Sequence, residues 1–533
     1  MSSCRRNVCS AMLLALCASQ VALAAKARNI IIFVSDGGGS NAFLAASLYQ
    51  HGRPGAQPYD QPEWVKYACR TSPLSYYYSS VRIGDSNGYD PATAWDRQLD
   101  IPYTSTLFPT IRLKGYSALQ QGFTDSAAAG TSLATGYKTH TGRINYADGP
   151  TYSSPAVHLQ SIAELAKAAG LRTGVVTSVE WTDATPATLS GAHNSWRSSR
   201  REIANEMLSS GTLDLIMGAS HPEYDRNGAP HQPTEEKAYD VVGGWSTWQQ
   251  LCSGSHPRGW KLIQTKADFQ SRCSGPTPGR VLGIPRVMLT LQQQRQSRDW
   301  NRDGIVDAAD IRVAPAFGDP PNDTVPTLAT MTRGALNLLG HGQSGFYLMV
   351  EGGAVDWAAV VGQPGRLVEE QIDLNNSIQA AIDWVRSHSS WDETLVIITA
   401  DHETGLVWGV NSDTIPFEPL NNHGRGKTPG TWFNAKGHST SLVPLHARGP
   451  AAGLFALRVV GTDPVRGKYV DNTSVFEIMK AALTGQALPP TPPSLPQSLS
   501  TESRSPYDTP TTRPTEDSNQ DGVADPDLED EGV

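Results

Sequence analysis

Residues 346–361 read FYLMVEGGAVDWAAVV, an apolar run that carries two acids, Glu351 and Asp356. A carboxylate taken out of water is costly unless it is paired, hydrogen-bonded or bound to a metal. Three other short apolar runs end in the same way. Residues 29–34 lead into Asp36, residues 173–178 into Glu180 and Asp183, and residues 394–399 into Asp401 and His402. Runs of this length and composition read as buried parallel strands. The 3.6-residue apolar period predicts helices over 161–169, 203–209, 327–339 and 366–387. Strands alternating with helices predict an α/β fold, a doubly wound and mostly parallel central sheet with helices on both faces. Ligand sites in such sheets lie beyond the carboxyl ends of the strands. One acid after a strand is an ordinary helix N-cap. Four acidic clusters brought to one sheet edge favour a metal site instead.

The chain has 533 residues, of which 18% are charged, with 49 glycines and 37 prolines. This composition allows one large α/β domain with insertions and many loops. Arg5 and Arg6 precede an apolar stretch at 11–24 that ends in Ala22-Leu23-Ala24. The pattern is that of an export signal cut after Ala24, so the mature protein is expected in the periplasm or outside the cell. The Arg pair lacks the fuller twin-arginine context, which favours general export. No later stretch has transmembrane character. The net charge is −9, and removing Arg5 and Arg6 makes it more negative by two. That balance argues against a nucleic-acid partner. Cleavage leaves Cys69, Cys252 and Cys273; Cys252–Cys273 could close a short loop, although pairing does not follow from spacing. A catalytic domain is expected over 25–485, with an insertion at 218–325 lying over the core. A Pro/Ser/Thr-rich linker and acidic tail follow at 486–533.

FTDSAAAGTSLATGYKTHTG, residues 123–142, places Ser126 before a run of small, helix-compatible residues. It is either an ordinary cap or a nucleophile at a helix N-terminus, where the helix favours an incoming anion. A serine hydroxyl needs activation. No GxSxG and no Ser–His–acid order stands out, and metal coordination can do the same work. Asp36, Asp356, Asp401, His402 and His438 supply ligands for it.

VSDGGG, TDSAAAGTSLATGYKT, DATPA, VEGGAVDWA, ADHETG and GHST occur in this order between residues 29 and 483. Together they resemble the alkaline phosphatase family. The resemblance implies a metal-dependent phosphomonoesterase that passes through a phosphoserine at Ser126 and acts on a small phosphorylated substrate. It implies Arg197, four residues after His193, as the phosphate-holding guanidinium; Arg200 and Arg201 are its rivals. It implies two Zn²⁺ and one Mg²⁺. Asp36, Asp401 and His402 would hold one zinc, and Asp356 and His438 the other. Asp36, Asp183, Thr185 and Glu351 would hold the magnesium, a hard cation suited to oxygen ligands. A homodimer is the assembly carried forward.

The chain departs from the family pattern at Val360, where a histidine usually stands one helical turn after Asp356. Val cannot ligate, and His423 and His446 are the alternatives. Trp357 stands where some relatives carry Lys or His. Separately, DWNRDGIVDAAD at 299–310 puts Asp299, Asn301, Asp303, Asp307 and Asp310 at positions 1, 3, 5, 9 and 12, with Gly304 at 6. That is the spacing of an EF-hand calcium loop and resembles a dockerin-type loop; a polar loop with Asx turns is the plainer reading. Residues 517–528 resemble a second such loop, with Leu528 at position 12. Two other functions stay open: a phosphodiesterase or sulfatase-like hydrolase on the same scaffold, and an inactive calcium-dependent surface protein. The CxPxR motif of sulfatases is missing.

Overall fold

The computed structural model describes residues 24–78, 81–85, 88–97, 115–147, 157–275, 279–342 and 344–490. The expected signal segment, apart from Ala24, and the tail from 491 onward, with its second loop at 517–528, lie outside the described residues. No helix among the described residues is long and apolar enough to cross a membrane.

Eleven strands form one sheet. In chain order they are β1 (Asn29–Ser35), β2 (Val65–Arg70), β3 (Arg172–Glu180), β4 (Leu215–Ala219), β5 (Trp260–Ile263), β6 (Arg280–Gly283), β7 (Phe346–Gly352), β8 (Thr394–Ala400), β9 (Val443–Arg448), β10 (Val459–Asp463) and β11 (Gly467–Asp471). Their order across the sheet is β10-β11-β2-β9-β8-β1-β7-β3-β4-β6-β5. From β8 to β5 every neighbouring pair is parallel, whereas β9 runs antiparallel to both β8 and β2. The sheet is therefore mixed but mostly parallel, as the doubly wound reading requires.

The four apolar runs are β1, β3, β7 and β8, the adjacent strands at the centre of the sheet. They are continuous apolar runs because helices cover both faces. Ile30, Ile32 and Val34 of β1 join one core with Ala127, Leu133 and Ile478. Ile31 and Phe33 join the other core with Leu336, Leu374 and Ile378. Each fully buried aliphatic side chain of this kind contributes about 1.5–3 kcal/mol relative to exposure. The expected helices form as Ile162–Ala168, Arg200–Ser209, Leu328–Gly340 and Pro364–His388.

Two expectations need correction. The segment 218–325 is not a cover laid over a finished sheet: it supplies β5 and β6, which extend the parallel edge. The short strands lacked enough periodicity to be seen in sequence. Among the described residues the cysteines do not pair. Cys69 is buried in β2, Cys252 is exposed, and the Cys273 thiol donates to the carbonyls of Phe269 and Thr330.

Helix Pro364–His388 carries a buried carboxylate with no structural pairing. Glu370 has an oxygen, Oε1, without a hydrogen-bond partner among the described residues. Burial pushes its pKa up to about 8, with Asp373 and Glu369 adding to the rise and Arg295 opposing it. A carboxyl raised from its ordinary 4.5 supports the fold below that pH and loses this contribution as pH climbs through 8. Glu370→Gln should therefore raise the melting temperature by several degrees at pH 9 and by much less at pH 5, read by thermal melts across that range. An equal effect at both pH values would show that ionisation of Glu370 is not what destabilises the alkaline form.

Candidate active site

Strand register brings the acids together. Ser35 of β1 lies opposite Gly352 of β7 and Ala400 of β8, so Asp36, the turn after β7, and Asp401 leave the sheet side by side. Glu351 sits one residue inside that edge, opposite Thr177 of β3. Gly37 follows with a left-handed φ of 67°, and a Cβ there would stand 2.7 Å from Asp356 Cα. Glycine is thus required both by conformation and by the close approach of helix Ala354–Val360. The Gly37 N–H donates to Asp401 Oδ1 at 3.1 Å, and the His402 N–H donates to the same oxygen at 2.8 Å.

Ser126 begins helix Ser126–Thr135, and Asp125 caps it by accepting from the Ala128 N–H at 3.0 Å. Such a cap contributes about 1 kcal/mol. All ten residues of the helix are buried, which the small side chains permit. Ser126 Oγ lies 3.1 Å from His402 Nε2. The same nitrogen is 3.1 Å from Asp401 Oδ2 and 3.5 Å from Asp36 Oδ1. One imidazole nitrogen therefore faces a hydroxyl and two carboxylates. His402 stacks on His438 with ring centroids 3.6 Å apart. The His438 Nδ1–H donates to the Thr124 carbonyl at 2.8 Å, which leaves Nε2 as a lone-pair nitrogen 3.5 Å from Asp356 Oδ1.

The electrostatics are those of a cation site. Asp36 Oδ1, Asp401 Oδ2 and Glu351 Oε1 are buried without hydrogen-bond partners among the described residues. Burial, then Asp401, Asp356, Glu351 and Asp183, drive Asp36 well above the usual carboxylate range. Burial and then Asp356 push Asp401 up to about 7, against the N–H groups that it accepts. Burial pushes Glu351 up to about 8, aided by Asp183 and Asp401 and opposed by the Thr177 and Thr185 hydroxyls. Burial, with His438 and Arg197 nearby, keeps His402 neutral and so able to donate a lone pair. Asp183 behaves oppositely. Burial would raise it, but Arg200 and Arg197 bring it to about 2.

Two groups have ligand atoms within 4.8 Å of one another: Asp36, Asp401 and His402, and Asp356, His402 and His438. The orphaned oxygens and the neutral imidazole of His402 fit cations. Glu351 and Asp183 both raise the Asp36 carboxyl, and the Thr185 hydroxyl acts on Glu351. Arg197 reaches the same region, with Nη1 3.3 Å from Asp125 Oδ2 and Nη2 3.1 Å from Asp183 Oδ1. Arg201 instead pairs with Asp240 on the surface.

At Val360 the helix ends without a ligand, and neither alternative histidine is brought in. His446 lies in β9 with its ring 4.9 Å from Tyr59, and burial holds its pKa near 3. His423 is exposed and donates to the Thr428 carbonyl. The sequence reading missed the hydroxyls that orient the acids. Thr404 donates to Asp356 Oδ1 and lies 3.2 Å from His402 Nδ1, and Thr177 donates to Glu351. Asp125 was missed as well, although its position directly before Ser126 was the available signal.

In the loop at 299–310 the side chains mostly serve the backbone. Asp299 Oδ2 accepts from Gly304 N–H, which has φ 88°, and Asp303 Oδ1 accepts from Ile305 N–H. Asp307 Oδ1 accepts from Ala309 N–H. Asp310 uses Oδ1 for the N–H groups of Trp300 and Asn301 and Oδ2 for that of Asp307.

Residues 96–428 match the family model described as alkaline phosphatase. The chain belongs to the alkaline phosphatase family. It is 29% identical to the alkaline phosphatase of Escherichia coli (strain K12) over 476 residues, 86% of each chain. It is 29% identical to streptomycin-6-phosphate phosphatase of Streptomyces griseus over 395 residues, 68% of this chain and 78% of the relative. The fold matches the crystal structure of Thermus thermophilus alkaline phosphatase with a TM-score of 0.55 and 18% identity, covering 88% and 94% of the two chains. The enzyme of the Antarctic bacterium TAB5 matches with a TM-score of 0.53 and 20% identity, covering 86% and 99%. A variant of that enzyme has Mg bound in its M3 site. Phosphomonoesterase chemistry in general comes with this family.

The gap at Val360 has a measurable consequence. Val360→His should tighten the second equivalent of zinc while leaving the first unchanged, read by calorimetric titration of chelator-stripped protein. If the second equivalent binds equally well in both proteins, another group completes the Asp356–His438 site.

Proposed function

We propose that this protein hydrolyses phosphate monoesters through a phosphoserine at Ser126 and releases inorganic phosphate. The observation that carries the reading is the placement of Ser126 Oγ. It starts a helix, lies 3.1 Å from His402 Nε2, and stands beside buried carboxylate oxygens that have no partner. Asp36, Asp401 and His402 would hold one zinc, Asp356 and His438 a second, and Asp36, Asp183, Thr185 and Glu351 a magnesium. When bound, such ions lower the pKa of a nearby hydroxyl and offset charge on phosphoryl oxygens.

The chain's own groups do the rest. Ser126 Oγ forms a bond to phosphorus and releases its proton to solvent, while the phosphorus–ester oxygen bond breaks in line and the departing oxygen takes a proton from solvent. Water then attacks the phosphoserine phosphorus and loses a proton, the Oγ–phosphorus bond breaks, and Oγ takes up a proton as inorganic phosphate leaves. Arg197 offers a planar fork to two phosphate oxygens, which suits the dianion of a monoester better than the single charge of a diester. The N-terminus of helix Ser126–Thr135 favours the same anion. The magnesium in the TAB5 variant supports a metal-dependent reading of the oxygen-rich side.

With Zn²⁺ and Mg²⁺ present, p-nitrophenyl phosphate should be turned over far faster than its bis-ester or the corresponding sulfate. Ser126→Ala should lower turnover of the monoester on the order of 10³-fold or more with an unchanged melting temperature. Faster turnover of the diester or the sulfate would favour the related hydrolase reading. No turnover with any of these ions would favour an inactive surface protein.

The loop at 299–310 supports a second, structural proposal: Asp299, Asn301 and Asp303 bind Ca²⁺, with Asp307 at the position often bridged by water. The favouring observation is Asp299 Oδ1, a shielded oxygen without a partner. The role of Asp310 is then to brace the loop backbone through both of its oxygens. Calcium should raise the melting temperature of the unaltered protein and leave Asp303→Ala unmoved; an equal rise in both would remove this loop as the site.

A further inference from the structure

Thr404 lies two residues after His402 and pairs with His438 in a short antiparallel ladder, as Glu403 does with Ser439. Its backbone N–H donates to the Gly37 carbonyl at 3.1 Å, in the turn after Asp36. Its side chain is buried. The hydroxyl donates to Asp356 Oδ1 and lies 3.2 Å from His402 Nδ1. One small residue therefore stands between the two candidate cation groups and touches a member of each.

A threonine hydroxyl carries one hydrogen and accepts through its lone pairs, whereas an ionised carboxylate only accepts. With the Thr404 hydrogen given to Asp356, the contact with His402 needs a hydrogen on Nδ1. The path then runs one way, from His402 Nδ1–H to Thr404 Oγ1 and from the Thr404 O–H to Asp356 Oδ1. A neutral imidazole with its hydrogen on Nδ1 has its lone pair on Nε2. That nitrogen faces Asp36 Oδ1, Asp401 Oδ2 and the Ser126 hydroxyl. In the opposite tautomer Nε2–H could not ligate, and the Thr404 hydrogen would turn to Nδ1 and leave Asp356. Accepting from Thr404 takes no ligating capacity from Asp356, because each carboxylate oxygen has two lone pairs.

We propose that Thr404 is a positioning residue that couples the two proposed zinc sites: ligation through His402 Nε2 keeps the imidazole hydrogen on Nδ1, which commits the Thr404 hydroxyl to Asp356 and sets that carboxylate beside His438. This rests on the two-zinc reading given above. The coupling matters most at the second site, where the helix ends at Val360 and supplies no further ligand. At the first site Asp36 and Asp401 share the ion with His402, so losing the bond at Nδ1 loosens one ligand among three. At the second site losing the bond to Asp356 loosens one of the two proposed ligands.

The test is a calorimetric zinc titration of the chelator-stripped full chain, joined to nitrogen NMR spectra of histidine-labelled protein before zinc is added. Thr404→Val keeps the side-chain shape and removes the hydroxyl; it should weaken the second zinc equivalent about tenfold or more, with a much smaller loss at the first. Thr404→Ser keeps the hydroxyl and should hold the second equivalent near its unaltered affinity. In the metal-free protein the His402 signal, assigned by its absence in His402→Asn, should report hydrogen on Nδ1, and Thr404→Val should shift it toward Nε2. A purely structural role would lower both equivalents alike in Thr404→Val and leave the tautomer unmoved, and either result overturns the proposal. So does hydrogen on Nε2 in the unaltered protein, or a loss in Thr404→Ser as large as in Thr404→Val. If Thr404→Val does not fold, the tautomer in the unaltered protein and the affinity of Thr404→Ser decide. Fewer than two zinc equivalents in the unaltered protein removes the two-zinc reading and the coupling with it, whereas two equivalents with the wrong tautomer remove the coupling alone.

Discussion

Mutual repulsion among buried carboxylates is the constraint around which this molecule is arranged. Asp36, Glu351 and Asp401 stand at the ends of adjacent strands with oxygens that no hydrogen bond satisfies among the described residues. Burial alone would make each costly, and each worsens the position of the next. Such a cluster persists in a fold when a cation repays it, and the ions proposed above would do so here. Gly37 lets helix Ala354–Val360 come close, Thr404 and Thr177 orient oxygens, and the Thr124 carbonyl fixes the tautomer of His438.

The second half of the arrangement is positive. Arg197 and Arg200 reach Asp183 from the start of helix Arg200–Ser209 and the loop before it, and they hold that one acid ionised while its neighbours are driven toward neutrality. The edge is thus divided. Carboxylates without counter-charge lie around His402, and a carboxylate with two guanidiniums lies beside Asp125 and Ser126. On the proposed reading, the phosphate meets the arginine side, and Asp183 stands where the two sides join.

Much of this was legible in the sequence because the central strands are buried on both faces. Each of β1, β3, β7 and β8 is a short apolar run, and an acid at the end of such a run is conspicuous against it. Ser126, Arg197 and the acids proposed as ligands were singled out by the ordered motifs that resemble the family. What could not be read lies where spacing carries no signal. β5 and β6 are edge strands of four residues in a segment rich in turns, so the segment read as an insertion laid over the core. Cys252 and Cys273 are close enough in sequence to suggest a bridge, but one is exposed and the other donates into the backbone. The contacts of Arg200 with Glu180, Thr182 and Asp183 join segments that only the folded chain brings together. The sequence narrows the question about the proposed second zinc site to Val360, and the structure sets His423 against the Thr428 carbonyl and His446 against Tyr59.

The register of β1 also says something about time. This strand, at residues 29–35, is flanked by strands at 346–352 and 394–400, so its first hydrogen bonds close loops of more than 300 residues. Chains dominated by such distant pairings fold slowly, because the entropy of closure comes before the contacts that offset it. No fragment made early in synthesis contains Asp36, Asp401 and His402 together. These three side chains come together only when the last central strand arrives, so any ion they hold would come from the compartment the finished chain has reached.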